Sequence, residues 1–113
     1  MADLKMNEYQ QLAARTSGAG KEGEHRQIIA ALGLAGEAGE FANMIKKMTA
    51  HGHPISLEEL AEELGDVLWY TAEAASACGL KLADIAQGNV DKLQRRYPEG
   101  FSQQRSINRP TEP

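Results

Sequence analysis

The sequence predicts an all-α fold, a four-helix bundle. Three observations carry that reading. Apolar residues recur at helical spacing in four segments. Glycine, proline and capping residues punctuate the ends of those segments. No segment alternates apolar and polar residues with the period of a strand. Short connections between four such helices favour a bundle.

The first helix covers Asn7 to Arg15, with Tyr9, Leu12 and Ala13 on one side and Asp3 or Asn7 as its cap. Thr16 to Gly23 is rich in Gly and Ser and predicts a mobile loop. A second helix runs from His25 to Met48, with an apolar stripe of Leu34, Phe41, Ile45 and Met48. Gly52, His53 and Pro54 end that region. Ser56 followed by Glu59 is a capping-box pattern that starts a third helix. This helix reaches Ala77, with Gly79 as its stop. Leu60, Leu64, Val67, Thr71, Ala74 and Cys78 share one of its faces. The fourth helix spans Leu82 to Arg96, with Leu82, Ile85, Ala86, Val90 and Leu93 directed inward. Pro98 and Gly100 break it. Residues 1–101 thus read as one helical domain, and the polar segment 102–113, with two prolines, as a flexible tail.

A chain of 113 residues can bury one modest core. The net charge of −4 and the lack of a basic run argue against nucleic-acid binding and against a polybasic membrane patch. Apolar runs are interrupted by Glu or Gly short of a membrane span, and the N-terminus has no apolar signal core. A cytoplasmic setting is the expectation. One cysteine, Cys78, excludes an internal disulfide, and its alanine neighbours predict a buried small residue. Bulky Trp69 and several apolar positions would gain from burial on a neighbour, so a homodimer or homotetramer is expected.

Two acid pairs carry the chemistry. Glu37 and Glu40 lie in GLAGEAGEF; Glu63 and Asp66 lie in EELGDVLWY. Each pair is spaced i, i+3, so both side chains share a helix face. At about 100° per residue, Gly33, Glu37, Glu40, Met44 and Lys47 form one stripe on the second helix. Glu59, Glu63, Asp66, Tyr70 and Glu73 form another on the third. Both stripes border the apolar face instead of opposing it, unlike ordinary surface acids. Packed side by side, the two helices would bring four carboxylates together. Such charges repel unless a hard divalent cation joins them, and Mg²⁺ binds one or two carboxylates with waters and substrate phosphates. Gly33, Gly36, Gly39 and Gly65 interrupt these helices at about 1 kcal/mol each against Ala. Close helix approach and ligand access are both adequate reasons. Asn89, Lys92 and Arg96 share a face of the fourth helix, and Lys47 adds a cation on the second. The spacing suits equally a polyphosphate, which needs cations and donors opposite the metal, and solvated basic residues that favour the dipole at a helix C-terminus. Trp69 and Tyr70 adjoin the acidic stripe, where either can stack on a base or bond a ligand. For Trp69 a core or subunit contact is the favoured role.

These words resemble the MazG-like family, the all-α nucleoside triphosphate pyrophosphohydrolases. The resemblance rests on Glu37-Ala-Gly-Glu40, then Glu63-Leu-Gly-Asp66, within GLAGEAGEFANMIKK, EELGDVLWY and NVDKLQRRYPEGF in that order. It runs from Asn7 to Phe101. It implies a four-helix core assembled as a dimer or tetramer. It implies Mg²⁺, with Mn²⁺ as a substitute, held by Glu37, Glu40, Glu63 and Asp66. It implies hydrolysis of a nucleoside triphosphate, often deoxy or non-standard, to monophosphate and pyrophosphate, in keeping with sanitation of the nucleotide pool. By similarity, Asn89, Lys92 and Arg96 contact substrate and Tyr70 lines the pocket. One departure is the start of the fourth helix, where Lys81 stands in place of a Ser or Thr cap.

The expected reaction is attack of water on the α-phosphorus with pyrophosphate leaving. A carboxylate not fully used in coordination takes the proton. Glu40 and Glu63 are both candidates, and the sequence does not choose between them. The alternative is a non-catalytic helical module that binds nucleotides or a partner.

Overall fold

The computed structural model describes residues 2–18 and 23–109. These residues form five helices and no strand: α1 (Met6–Ala14), α2 (Gly23–His51), α3 (Leu57–Ala77), α4 (Leu82–Arg96) and α5 (Gln103–Ile107). The all-α expectation holds. Residues 19–22 of the loop read as mobile, and residues 110–113 of the tail, lie outside the described residues.

Local chemistry sets α3 at both ends. The Ser56 hydroxyl accepts from the Glu59 N–H, and the Glu59 carboxylate accepts from the Ser56 N–H. At the other end Gly79 adopts φ +72°, a conformation only glycine takes cheaply. The turn it allows lets the Leu80 N–H reach the Ala75 carbonyl at 2.8 Å and the Gly79 N–H reach Ser76 at 3.1 Å, a Schellman closure.

The start of α4 is set from outside. Lys81, at its N-cap, supplies no side-chain acceptor. Gln10 Oε1 of α1 accepts from the Leu82 N–H at 2.8 Å, and Asn7 Oδ1 accepts from the Ala83 N–H at 3.0 Å. Gln10 also donates to the Leu80 carbonyl and the Ser76 hydroxyl. Asn7 is therefore a cap, but for α4. Lys5 precedes α1 with no side-chain cap, so neither Asp3 nor Asn7 fills that role.

Within the segment 102–113 the chain forms the short helix α5. Ser102 caps α5 by accepting from the Arg105 N–H, and Arg105 Nε donates to the Arg96 carbonyl at 2.7 Å. The helix thus has a local side-chain cap and a bond to the end of α4.

Packing is led by α2 on α3, with α1 laid across α3 and α4. The buried core is small: Ala13, Ala72 and Leu82, with Tyr9 and Trp69 against them. Among the described residues no large side chain is fully buried. Of the residues predicted inward on α4, Leu82 is buried, whereas Ile85, Val90 and Leu93 are exposed in the single chain. Leu64 of α3 is likewise exposed. Cys78 is exposed too, because it caps the C-terminus of α3 past the last packed turn. The radius of gyration is 17.0 Å, against about 13 Å for a compact domain of this length. Helix periodicity gives each helix an apolar face but does not say whether that face meets its own chain.

The helical glycines divide. A Cβ on Gly33 would collide with the Tyr70 ring, so this glycine serves close approach of α3. Gly36, Gly39 and Gly65 face open space, so close approach within the chain does not account for them. By length and composition α2 could cross a membrane, contrary to the sequence expectation. Yet Glu37 and Glu40 sit in its middle, and an acidic residue at a bilayer centre costs about 2.5–3.5 kcal/mol on insertion scales.

Candidate functional site

The α2–α3 pair carries the acids. Helical spacing turns Glu37 toward α3 and Glu63 and Asp66 toward α2. One oxygen from each of these three lies within 4.8 Å of the others. Oε2 of Glu37 and Oε2 of Glu63 are inaccessible to solvent and have no hydrogen-bond partner. Buried polar atoms are normally satisfied. Two carboxylates that face each other with no donor between them need a shared proton or a cation. The donor set, three carboxylates of which two carry an orphaned oxygen, fits a divalent ion of the Mg²⁺ type.

Electrostatics says the same. Desolvation raises the Glu37 carboxyl to about 7, helped by the proton that Glu37, once protonated, shares with Glu63 and by the charges of Glu40, Asp66 and Glu63. The sign of its pH effect follows. Folding tightens the Glu37 proton, so that contribution to stability is full below about 4.5 and is lost as pH rises to about 7. Chelator-treated protein is therefore expected to lose thermal stability relative to Glu37→Gln as pH rises from 5 to 8. Parallel melting curves for the two proteins across that range would refute it.

Glu40 is exposed and stands outside the three-oxygen group, one turn along α2 from Glu37. Its charge still acts on Glu37. Tyr70 lies on Gly33, its ring 4.9 Å from that of Trp69 and nearly perpendicular to it. Trp69 fills the role favoured for it: it packs against the core, and its indole N–H donates to the Thr16 hydroxyl at 3.0 Å. Lys47 is exposed on α2, ten residues and about 15 Å beyond Glu37. Asn89, Lys92 and Arg96 sit on α4, whose main neighbour is α1. No hydrogen bond or ion pair among the described residues joins Asn89 or Lys92 to the carboxylates.

Two features escape a sequence reading. Tyr9 of α1 stands within electrostatic reach of Asp66: burial, then the Asp66 charge, raises its hydroxyl above the usual range. Farther along the same α2–α3 seam, Arg26 and Glu73 form a buried ion pair at 2.7 Å. Glu73 Oε2 also accepts from Arg26 Nε at 3.3 Å and from the Ser17 hydroxyl at 2.7 Å. Burial raises the Glu73 carboxyl, but the bonds from Arg26 and Ser17 and the Arg26 charge outweigh it and hold it below its ordinary value. Glu73 is on the projected stripe. Nothing local in the sequence singles out Arg26.

The family model of the MazG nucleotide pyrophosphohydrolase domain matches residues 25–101. The chain belongs to that family. The match takes in nearly all of α2, all of α3 and α4, and every carboxylate of the acid site. In this MazG-family chain α1, with Tyr9 and the caps of α4, precedes the matched region. The Gene 37 protein of Mycobacterium phage L5 is 40% identical over 72 residues, which is 60% of this chain and 63% of that protein. The alignment thus spans less than two thirds of that relative. No solved structure matches.

Proposed function

We propose that this protein is an Mg²⁺-dependent nucleoside triphosphate pyrophosphohydrolase that converts (d)NTPs, non-standard ones included, to NMP and pyrophosphate. The supporting observation is the convergence of Glu37, Glu63 and Asp66, with two buried unpartnered oxygens, in a chain of the MazG family. These three residues would hold the cation. When bound, it supplies neutralisation of phosphate charge and acidifies water.

The protein's own residues divide the remaining work. Water attacks the α-phosphorus, the bond from that phosphorus to the bridging oxygen breaks, and pyrophosphate leaves with the bond's electrons. Glu40 stands outside the trio, one turn along α2 from Glu37, so its oxygens remain able to accept the proton released by the attacking water. That separation favours Glu40 over Glu63 as general base. Tyr70, held on Gly33, borders the acids and orients substrate. Lys47, Asn89, Lys92 and Arg96 offer cations and donors to the phosphate chain.

The test is pyrophosphate release from a panel of normal, deoxy and oxidised triphosphates, with Mg²⁺ and with EDTA. Release that EDTA abolishes is expected. No release from any member would overturn the reading in favour of a non-catalytic nucleotide- or partner-binding module.

Assembly as a homodimer or homotetramer belongs to the same proposal. On α2, Ile28 and Leu32 are exposed, with Ala35, Gly39 and Ala42 on the same outward face. On α4, Val90 and Leu93 join Tyr97 and Phe101 around an apolar cavity of about 410 Å³. A second copy would cover such surface. It would also bring a neighbour's α4 to the acids that this chain's own α4 does not face. Light scattering at micromolar concentration is expected to give a dimer or larger, and Leu32→Asp to give monomer with little turnover. A wild-type monomer that turns over would rule assembly out.

A further inference from the structure

The α2–α3 seam does not end at the acids. Seven residues before Glu37 on α2 is Ala30, and seven after Asp66 on α3 is Glu73. At 1.5 Å per residue, each lies about 10 Å along the seam from the acid site. Between the two levels Tyr70 rests on Gly33. At the far level a cavity of about 250 Å³ opens between Gly18, Ile29, Ala30, Trp69, Tyr70 and Glu73. It is below the ~300–1,000 Å³ of drug-sized sites and suits one aromatic ring system.

Its walls are chemically unequal. Trp69 and Tyr70 offer aromatic surface, on which a flat heterocycle can stack. Glu73 offers a buried carboxylate, 3% exposed and kept ionised by Arg26. A carboxylate has about four acceptor positions. Three are in use: Ser17 and Arg26 Nε on Oε2, and the Arg26 terminal nitrogen on Oε1. One position, on Oε1, remains. It requires a donor, and an anion or a carbonyl edge meets repulsion there.

We infer that this cavity receives the substrate's base and selects bases with an exocyclic amino group, which donates to Glu73 Oε1. Adenine and cytosine present such a group where thymine presents a carbonyl oxygen. The imide N–H of uracil or thymine is recessed between two carbonyl oxygens, which would face the carboxylate. The level of the cavity matches: triphosphate at the acids, sugar beside Tyr70, base against Trp69. The inference rests on the nucleotide reading of the acid site and adds the choice of base.

Trp69 is the chain's one tryptophan, so its fluorescence reports directly on the cavity. The full-length protein is titrated with CMP against UMP, and with AMP against IMP, in the presence of Mg²⁺. Each pair differs chiefly by an amino group in place of a carbonyl. Quenching by both amino-bearing nucleotides at least about tenfold tighter than by their partners is expected, the worth of a hydrogen bond to a charged group. Glu73→Gln, which offers a donor as well as an acceptor, should remove the preference. Equal affinities within both pairs, a reversed preference, or no fluorescence response at millimolar nucleotide would overturn the inference. If Glu73→Gln fails to fold, the wild-type pairs still decide. The two readings also fail separately. A wild type that releases pyrophosphate without base preference sinks the pocket and leaves the hydrolase. Amino-selective quenching without turnover sinks the hydrolase and leaves the pocket.

Discussion

Glu40→Gln is expected to keep its fold and its cation and to release pyrophosphate about 10²–10⁴-fold more slowly, the usual worth of a positioned general base. The expectation comes from the division among the four acids. Three oxygens converge, from Glu37, Glu63 and Asp66, and Glu40 is left outside them and exposed. An amide at position 40 cannot take a proton, yet it removes no member of the converging trio. Glu63→Gln is the contrasting variant. It replaces a carboxylate whose Oε2 is buried and unpartnered, so its primary loss should be cation uptake. Calorimetry with Mg²⁺ and pyrophosphate release, measured on both variants, separate the roles. Near wild-type turnover in Glu40→Gln would remove it as the base. Normal Mg²⁺ binding with lost turnover in Glu63→Gln would transfer the role to Glu63.

Arg26→Ala is expected to cost about 3–5 kcal/mol of stability, the range for removing one partner of a buried ion pair. Arg26 and Glu73 are 8% and 3% exposed, so solvent screens the pair little. The variant leaves the Glu73 carboxylate buried with the Ser17 hydroxyl as its remaining partner among those bonded to it. Against a typical total of ~5–15 kcal/mol the loss is large, and a fall in Tm of well over 10 °C follows for a domain of this size. The core offers little compensation, since among the described residues it buries no large side chain completely. Arg26→Met combined with Glu73→Leu should recover most of the loss, because two apolar residues strand no charge. Thermal melts of both proteins give the answer. A melting temperature for Arg26→Ala within a few degrees of wild type would show that water or a neighbour satisfies Glu73.

The local features were legible because their causes are local. Ser56 and Glu59 are one turn apart and cap α3 as the spacing requires. Gly79 stops α3 where the sequence places the stop, and α4 has the predicted bounds Leu82–Arg96. The two acid pairs share their faces because backbone periodicity puts i and i+3 together. The illegible features join residues far apart in the chain. Arg26 and Glu73 are 47 positions apart. Asn7, which with Gln10 replaces the missing cap at Lys81, is 76 positions from Ala83, whose N–H it accepts. The inward face expected of α4 is partly exposed for a related reason. A stripe of Ile85, Val90 and Leu93 records that a helix needs cover, and it does not record whether the cover comes from the same chain.

Helix positions, the acid pairs and the family likeness thus follow from residues within a turn or two of one another, where bonds from each residue to its fourth neighbour impose the spacing. The register of α2 against α3 follows from nothing so near. It is set by Tyr70 lying on Gly33 and by Arg26 closing on Glu73. That register draws three carboxylates into one group, leaves Glu40 aside, and lifts the proton affinity of Glu37, because energies between charges depend on separations and burial that only packed helices possess.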